Sequence, residues 1–138
     1  MKWKNRQFGE LEFDDEHVLT FPEGMIGFED CRRFILINDE DSQPFRWLVS
    51  LEDEDLSFPL LNPQMLVADY LAGNLQKPGA TILVVATLNK EIEHSTVNLR
   101  SPVVIMNENR TGKQIILEEE SYNLRHPLFV VSQSPVKG

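Results

Sequence analysis

Short apolar stretches, each cut off by prolines, glycines or acidic turns, follow one another along nearly the whole chain, and this punctuation restricts it to β-rich folds. Within residues 7–13, Leu11 and Phe13 alternate with Glu10 and Glu12, the period of two of a half-buried strand, and Gly9 marks a bulge. Further strands are predicted over residues 17–21, 34–37, 45–51, 56–60, 96–99, 103–106 and 114–117. Pro22, Gly24 and Gly27 punctuate a packed connection anchored by Met25, Ile26 and Phe28. The run Ala-Thr-Ile-Leu-Val-Val-Ala-Thr-Leu at 80–88 is continuously apolar and β-branched, as suits a strand covered on both faces.

One helix interrupts the pattern. Asn62 stands at an N-cap position, Pro63 at the first helical position and Gly73 at the stop, which predicts about ten helical residues. Its inward face would carry Met65, Leu66, Ala68, Ala72 and Tyr70. Loop 107–112, rich in Asn and ending in Gly112, joins the last two predicted strands as a hairpin. About nine short strands with one short helix indicate a mainly β, compact, single-domain, barrel-like fold. Residues 1–130 form that domain, and the small, polar segment 131–138 is expected to fray as a C-terminal tail. At 138 residues the chain is long enough to enclose one hydrophobic core.

Charge narrows the possible partners. The formal net charge is −9, and a phosphate backbone is approached through Lys and Arg, so direct nucleic-acid binding is disfavoured. The excess is local: residues 14–55 hold thirteen carboxylates against only Arg32, Arg33 and Arg46, whereas residues 56–138 hold seven charges of each sign. If these acidic loops gather on one side, they form a surface that attracts a basic partner. Acidic turns that only keep the protein soluble explain the same composition. No run of about eighteen apolar residues is present, and no secretory signal follows Met1; with the lone Cys31, this points to a cytoplasmic protein.

A constellation for catalysis is not evident. His17, His94 and His126 lie in separate segments without the spacing that places two imidazoles on one metal. The turn Asp14-Asp-Glu-His17 reads as a solvated acidic turn. Cys31 has basic neighbours in Arg32 and Arg33 but also Glu29 and Asp30, and no evident histidine partner. Gly24 and Gly27 lack the spacing of a phosphate-binding loop.

Several motifs in order resemble the FliW flagellar assembly factor family of bacteria. They are Phe21-Pro-Glu-Gly-Met-Ile-Gly-Phe-Glu29 with Arg33-Phe-Ile-Leu36, Trp47-Leu-Val-Ser-Leu-Glu-Asp53, and Asn62-Pro63 with Tyr70. The longest is Thr96-Val-Asn-Leu-Arg-Ser-Pro-Val-Val-Ile105, followed by Asn107, Gly112, Gln114-Ile-Ile-Leu117 and Tyr122. The resemblance implies a small β-barrel-like adaptor without enzymatic activity or cofactor, which binds flagellin and the basic RNA-binding regulator CsrA. Such an adaptor sequesters CsrA and so relieves repression of flagellin mRNA translation; accumulated flagellin occupies the adaptor and releases the repressor. Asp39, Asp41, Asp53, Glu54 and Asp55 are the expected contacts to the basic regulator. Asn98, Pro102 and Asn107 are further candidates, although both asparagines suit turn-holding roles and Pro102 either starts a strand or marks an edge open to strand addition. An exposed apolar groove is expected to receive the helical ends of flagellin. The alternatives are a small β-barrel enzyme or ligand-binding domain with an acidic site, and a generic acidic mimic of nucleic acid.

Overall fold

A computed structural model describes residues 1–70, 78–118 and 121–128. Eleven strands are present among them: β1 Lys2–Asn5, β2 Gly9–Glu12, β3 Leu19–Thr20, β4 Arg33–Asn38, β5 Arg46–Ser50, β6 Ser57–Leu61, β7 Ala80–Thr87, β8 Thr96–Val97, β9 Val103–Met106, β10 Thr111–Gln114 and β11 His126–Pro127. Seven of them close a barrel in the order β7-β6-β5-β4-β3-β10-β9, with β9 returning to pair β7. Closure leaves the barrel without a long free edge. All neighbours are antiparallel except β3 and β10, which meet in parallel at Thr20 and Thr111.

Three apolar clusters follow from strand alternation. The barrel interior holds Leu19, Phe21, Met25, Phe34, Leu48, Leu60, Leu83, Val103 and Ile105. On the outer side of β4 and β5, Ile35, Trp47 and Val49 face outward and are covered by Trp3, Phe8, Leu11 and Phe13 from the β1–β2 hairpin and its exit. Against the outer side of β7, Ile82, Val84 and Ala86 meet Leu61, Tyr70, Val97, Leu99 and Leu128. Strand β7 is thus covered on both faces, as its unbroken apolar run requires.

Three local expectations are corrected. The predicted strand 7–13 is the second half of a hairpin: Asn5 pairs Gly9 across a three-residue turn, where the Asn5 Oδ1 accepts from Gln7 N and Phe8 N at 2.8 and 2.9 Å. Gly9, at φ +74°, supplies the left-handed residue that closes such a turn. The ten-residue helix is reduced, among the described residues, to a single 3-10 turn over Pro63–Met65, followed by an irregular segment to Tyr70. The start signal was sound, since the Asn62 side chain accepts from Gln64 N at 3.0 Å. What ends it is the pull of the core: Tyr70 is completely buried against the outer face of β7. The predicted stop at Gly73 and the tail 131–138 lie outside the described residues.

The last hairpin is shifted by three residues: β10 is Thr111–Gln114, not 114–117, and the connecting turn is Asn107 to Arg110. Gly112 is therefore inside a strand, and the left-handed residue of the turn is Arg110, at φ +55°. A Cβ at Gly112 would stand 2.3 Å from the Phe21 ring, so this glycine serves close packing of a strand on an aromatic side chain.

A candidate protein-binding cleft and an acidic barrel end

Register decides where the acidic loops go. Strands β4, β5 and β6 form an antiparallel meander, so Asp39 to Asp41 and Glu52 to Asp55 lie at opposite ends of β5. Five extended residues separate them, about 17 Å. The condition for a single acidic surface, that these loops gather on one side, is therefore not met by the two turns that flank β5.

The 52–55 end is the stronger of the two. Ser50, fully buried, accepts through Oγ from Glu52 N and Asp53 N, both at 3.0 Å, and Asp53 Oδ1 accepts from Asp55 N at 2.9 Å. Glu52 Oε1 accepts from Arg33 N at 3.0 Å and also from Arg32 N, which draws the 21–32 connection, with Glu23, Glu29 and Asp30, to the same end. Arg6 answers part of this charge by pairing with Glu54 at 3.2 Å and with Asp55. The hydrogen bond and charge of Asp55, then the charge of Glu54, raise the Arg6 pKa further above its already high ordinary value. Asp53, Glu54 and Asp55 remain exposed. Asp39, at the far end, is half-buried and caps a 3-10 turn: its Oδ2 accepts from Ser42 Oγ at 3.0 Å, and Ser42 in turn accepts from Trp47 Nε1 at 2.9 Å. Asp41 is exposed beside it.

The other candidates have structural work. Asn98 Oδ1 accepts from Arg100 N and Ser101 N at 3.0 and 3.1 Å. Asn107 donates its N–H to Gly79 O at 2.9 Å, and its Oδ1 accepts from Thr81 Oγ1 at 3.1 Å. Pro102 is buried at the start of β9, a strand paired on both sides, so it marks no open edge.

A site that the sequence reading did not locate lies where the β6–β7 ladder fails. The Ser50 N to Leu56 O bond fixes the alternation in β6, so odd-numbered residues direct their amides toward β7. Pro59 has no N–H to offer there, and pairing with β7 covers only Leu60 with Val85 and Leu61 with Val84. Beyond this point the strands part, and a cleft of about 770 Å³ opens beside Phe58, Val85 and Thr87. Its rim carries Ile26, Ile116 and Leu124, which are 48%, 68% and 53% exposed.

The opposite wall is the turn Asn98 to Pro102, which interrupts a nearly continuous run from β8 to β9 along β7. This turn is held from many directions. The Tyr70 hydroxyl donates to Leu99 O, Leu99 N donates to Asn123 O at 3.0 Å, and Gln114 Nε2 donates to Ser101 O at 3.1 Å. Gln114 Oε1 also accepts from Ile26 N at 2.9 Å, so a single amide ties the two sides of the cleft together.

Glu29 steadies the Ile26 rim. Its carboxylate accepts from Gly27 N at 2.8 Å, and this bond, with a second from its own N–H, holds its pKa below the usual glutamate range. A depressed folded-state pKa means that the contribution is fully present above the unfolded value and is lost as pH falls through the folded one. The protection of the Gly27 amide, its exchange rate compared with the intrinsic rate at the same pH, should therefore fall on acidification in the native protein, whereas in Glu29→Ala it should already be low at neutral pH; equal protection in both proteins would refute the role.

Among the described residues, one group of metal-type side chains comes together, Glu91, Glu93 and His94, all exposed. His94 Nδ1 pairs with Glu91 at 2.9 Å. His17 closes the Asp14 turn by accepting from Asp14 N at 3.0 Å, and Cys31 is half-buried against the barrel core. No helix of the described residues is long and apolar enough to cross a membrane.

Comparison with known proteins decides the family. A family model described as FliW protein matches residues 2–128. The chain belongs to the FliW family. It is 39% identical to the flagellar assembly factor FliW of Natranaerobius thermophilus, with 100% of this chain and 99% of that protein aligned. FliW of Caldicellulosiruptor saccharolyticus is 34% identical, with 91% and 89% covered. A crystal structure of the flagellar assembly factor FliW superposes with a TM-score of 0.83 at 28% identity, covering 94% of this chain and 98% of that one. Both the barrel architecture and the resemblance read from the motifs are thereby established.

Proposed function

We propose that this FliW-family protein is a cytoplasmic adaptor that binds flagellin and the basic translational regulator CsrA, and acts by occupancy without bond chemistry. The observation that carries this reading is the presence of two unlike surfaces on one barrel: a carboxylate-rich end at Glu52 to Asp55, and an apolar cleft between β6, β7 and the Asn98 turn. A basic regulator suits the first through electrostatic steering, and docking there disfavours approach of an RNA backbone. Apolar helical ends of flagellin suit the second.

An enzyme or ligand-binding domain with an acidic site fits less well. Among the described residues no carboxylate lines the 770 Å³ cleft or a smaller hollow of about 390 Å³ with Arg46, Asn62 and Gln64 in its wall, and a mainly apolar hollow of about 450 Å³ has a single one, Glu23, beside Lys113. The acidic loops converge on none of them.

Calorimetric titration of the purified chain with flagellin and with the regulator tests the proposal directly. Regulator binding should weaken steeply between low and physiological salt. Glu54→Lys with Asp55→Lys should slow its association about tenfold at low salt, within the range that steering contributes. Asp41→Lys, at the other end of the barrel, should leave the rate nearly unchanged. Equal rates for all three proteins would remove the acidic end from the mechanism. With RNA present, capture from an adjacent surface predicts a saturable loss of RNA affinity, whereas direct mimicry of RNA predicts a loss without limit.

A further inference from the structure

The lining of the large cleft has a charge opposite to that of the protein. In a chain with twenty-two carboxylates and a net charge of −9, the full charges that border this cleft among the described residues are Arg100 and Arg125, with the His94 ring at the rim beside Glu91. Arg100 is the better placed. It is half-buried, on the turn whose backbone is tied down by Asn98, Tyr70 and Gln114, and its Nε donates to Leu117 O at 3.1 Å. A guanidinium fixed through Nε keeps its outer N–H groups directed away from that bond, and among the described residues they have no hydrogen-bond or ion-pair partner.

Such a group, half-removed from water in a cleft that Ile26, Ile116, Leu124 and Phe58 also line, is poised for a carboxylate. Desolvation by an apolar ligand would make an unanswered guanidinium costly, so the cleft discriminates against a purely apolar occupant. From this we infer that the cleft takes an amphipathic protein segment whose apolar side chains flank a single carboxylate, and that Arg100 receives that carboxylate in a two-pronged pair. This deepens the adaptor reading and rests on it. Arg100 would then be the specificity-determining residue of the cleft, and Gln114 a positioning residue that sets the distance between Ile26 and the Arg100 turn.

The test uses the full chain and synthetic peptides tiling the flagellin and the regulator of the same organism, with whole flagellin and whole regulator as controls. Segments retained by the wild-type chain should carry an Asp or Glu between apolar residues. Arg100→Gln should weaken them about 10- to 100-fold, the range for loss of one buried charge-assisted pair. Replacing the segment's carboxylate by its amide should cost about as much in the wild type and little further in Arg100→Gln. Arg100→Glu should regain binding to a segment whose acid is replaced by Lys. Ile116→Glu, at a largely exposed position that cannot unfold the barrel, should also repel the acidic segments. Retained segments without a carboxylate, or binding indifferent to Arg100 in a folded variant, would overturn this inference while the adaptor reading stands. Failure of both whole proteins to bind would overturn the two together.

Discussion

Tyr70→Ala should lower the free energy of unfolding by about 3–5 kcal/mol, the usual cost of emptying a large buried aromatic site. Tyr70 is completely buried among Leu61, Val84, Leu99 and Leu128, with its ring centroid 4.7 Å from that of Tyr122. Its hydroxyl donates to Leu99 O across twenty-nine residues of chain. Tyr70→Phe keeps the ring and removes that donor, which should cost about 1–3 kcal/mol because a buried carbonyl loses its partner. The two variants separate packing from hydrogen bonding, and urea unfolding followed by fluorescence of Trp3 and Trp47 measures both. Because Leu99 belongs to the turn that forms one cleft wall, Tyr70→Phe should also weaken partner binding in conditions where it remains folded. A Tyr70→Phe protein as stable as the wild type would show that this bond contributes nothing.

Gly112→Ala should destabilise the barrel by about 3 kcal/mol, at the upper end of what overpacking costs. The new methyl would stand 2.3 to 2.7 Å from three carbons of the Phe21 ring, and relief is blocked on both sides. Gly112 is held in register with Ile105 of β9, while Phe21 is fully buried and packs edge to face on Phe34 at 5.1 Å. Phe21→Leu should cost stability alone yet restore part of it in the presence of Gly112→Ala, since the smaller side chain vacates the contested space. Additive losses in the double-mutant cycle would mean that the ring and the glycine are not in contention.

These two sites show how unevenly the sequence could be read. Tyr70 was assigned to the buried face of a helix; it is buried, but the helix is one 3-10 turn. Gly112 was taken for a turn residue because glycine marks turns and close approaches alike, and a single sequence does not distinguish them. The alternation of Glu10 to Phe13 and the enclosure of strand 80–88 were legible because a period of two and an unbroken apolar run are properties of each strand alone. The cleft left one trace: Pro59 lies inside a predicted strand, where a missing N–H announces that the ladder cannot continue. That trace points to an interrupted pairing, not to the residues that gather around it.

Local chemistry by itself determined that this chain forms short strands and turns and that strand 80–88 would be enclosed, while the family of flagellar assembly factors was legible only through the resemblance of its motifs to known members. Which loops share a surface was a matter for the tertiary structure alone. The antiparallel order of β4, β5 and β6 sends the acidic turns flanking β5 to opposite ends, and closure of β9 onto β7 brings Arg100 to face Ile26 across a cleft. The physical reason is that strand pairing and closure depend on contacts between residues far apart in the chain, which hydrophobic period and turn chemistry constrain without specifying.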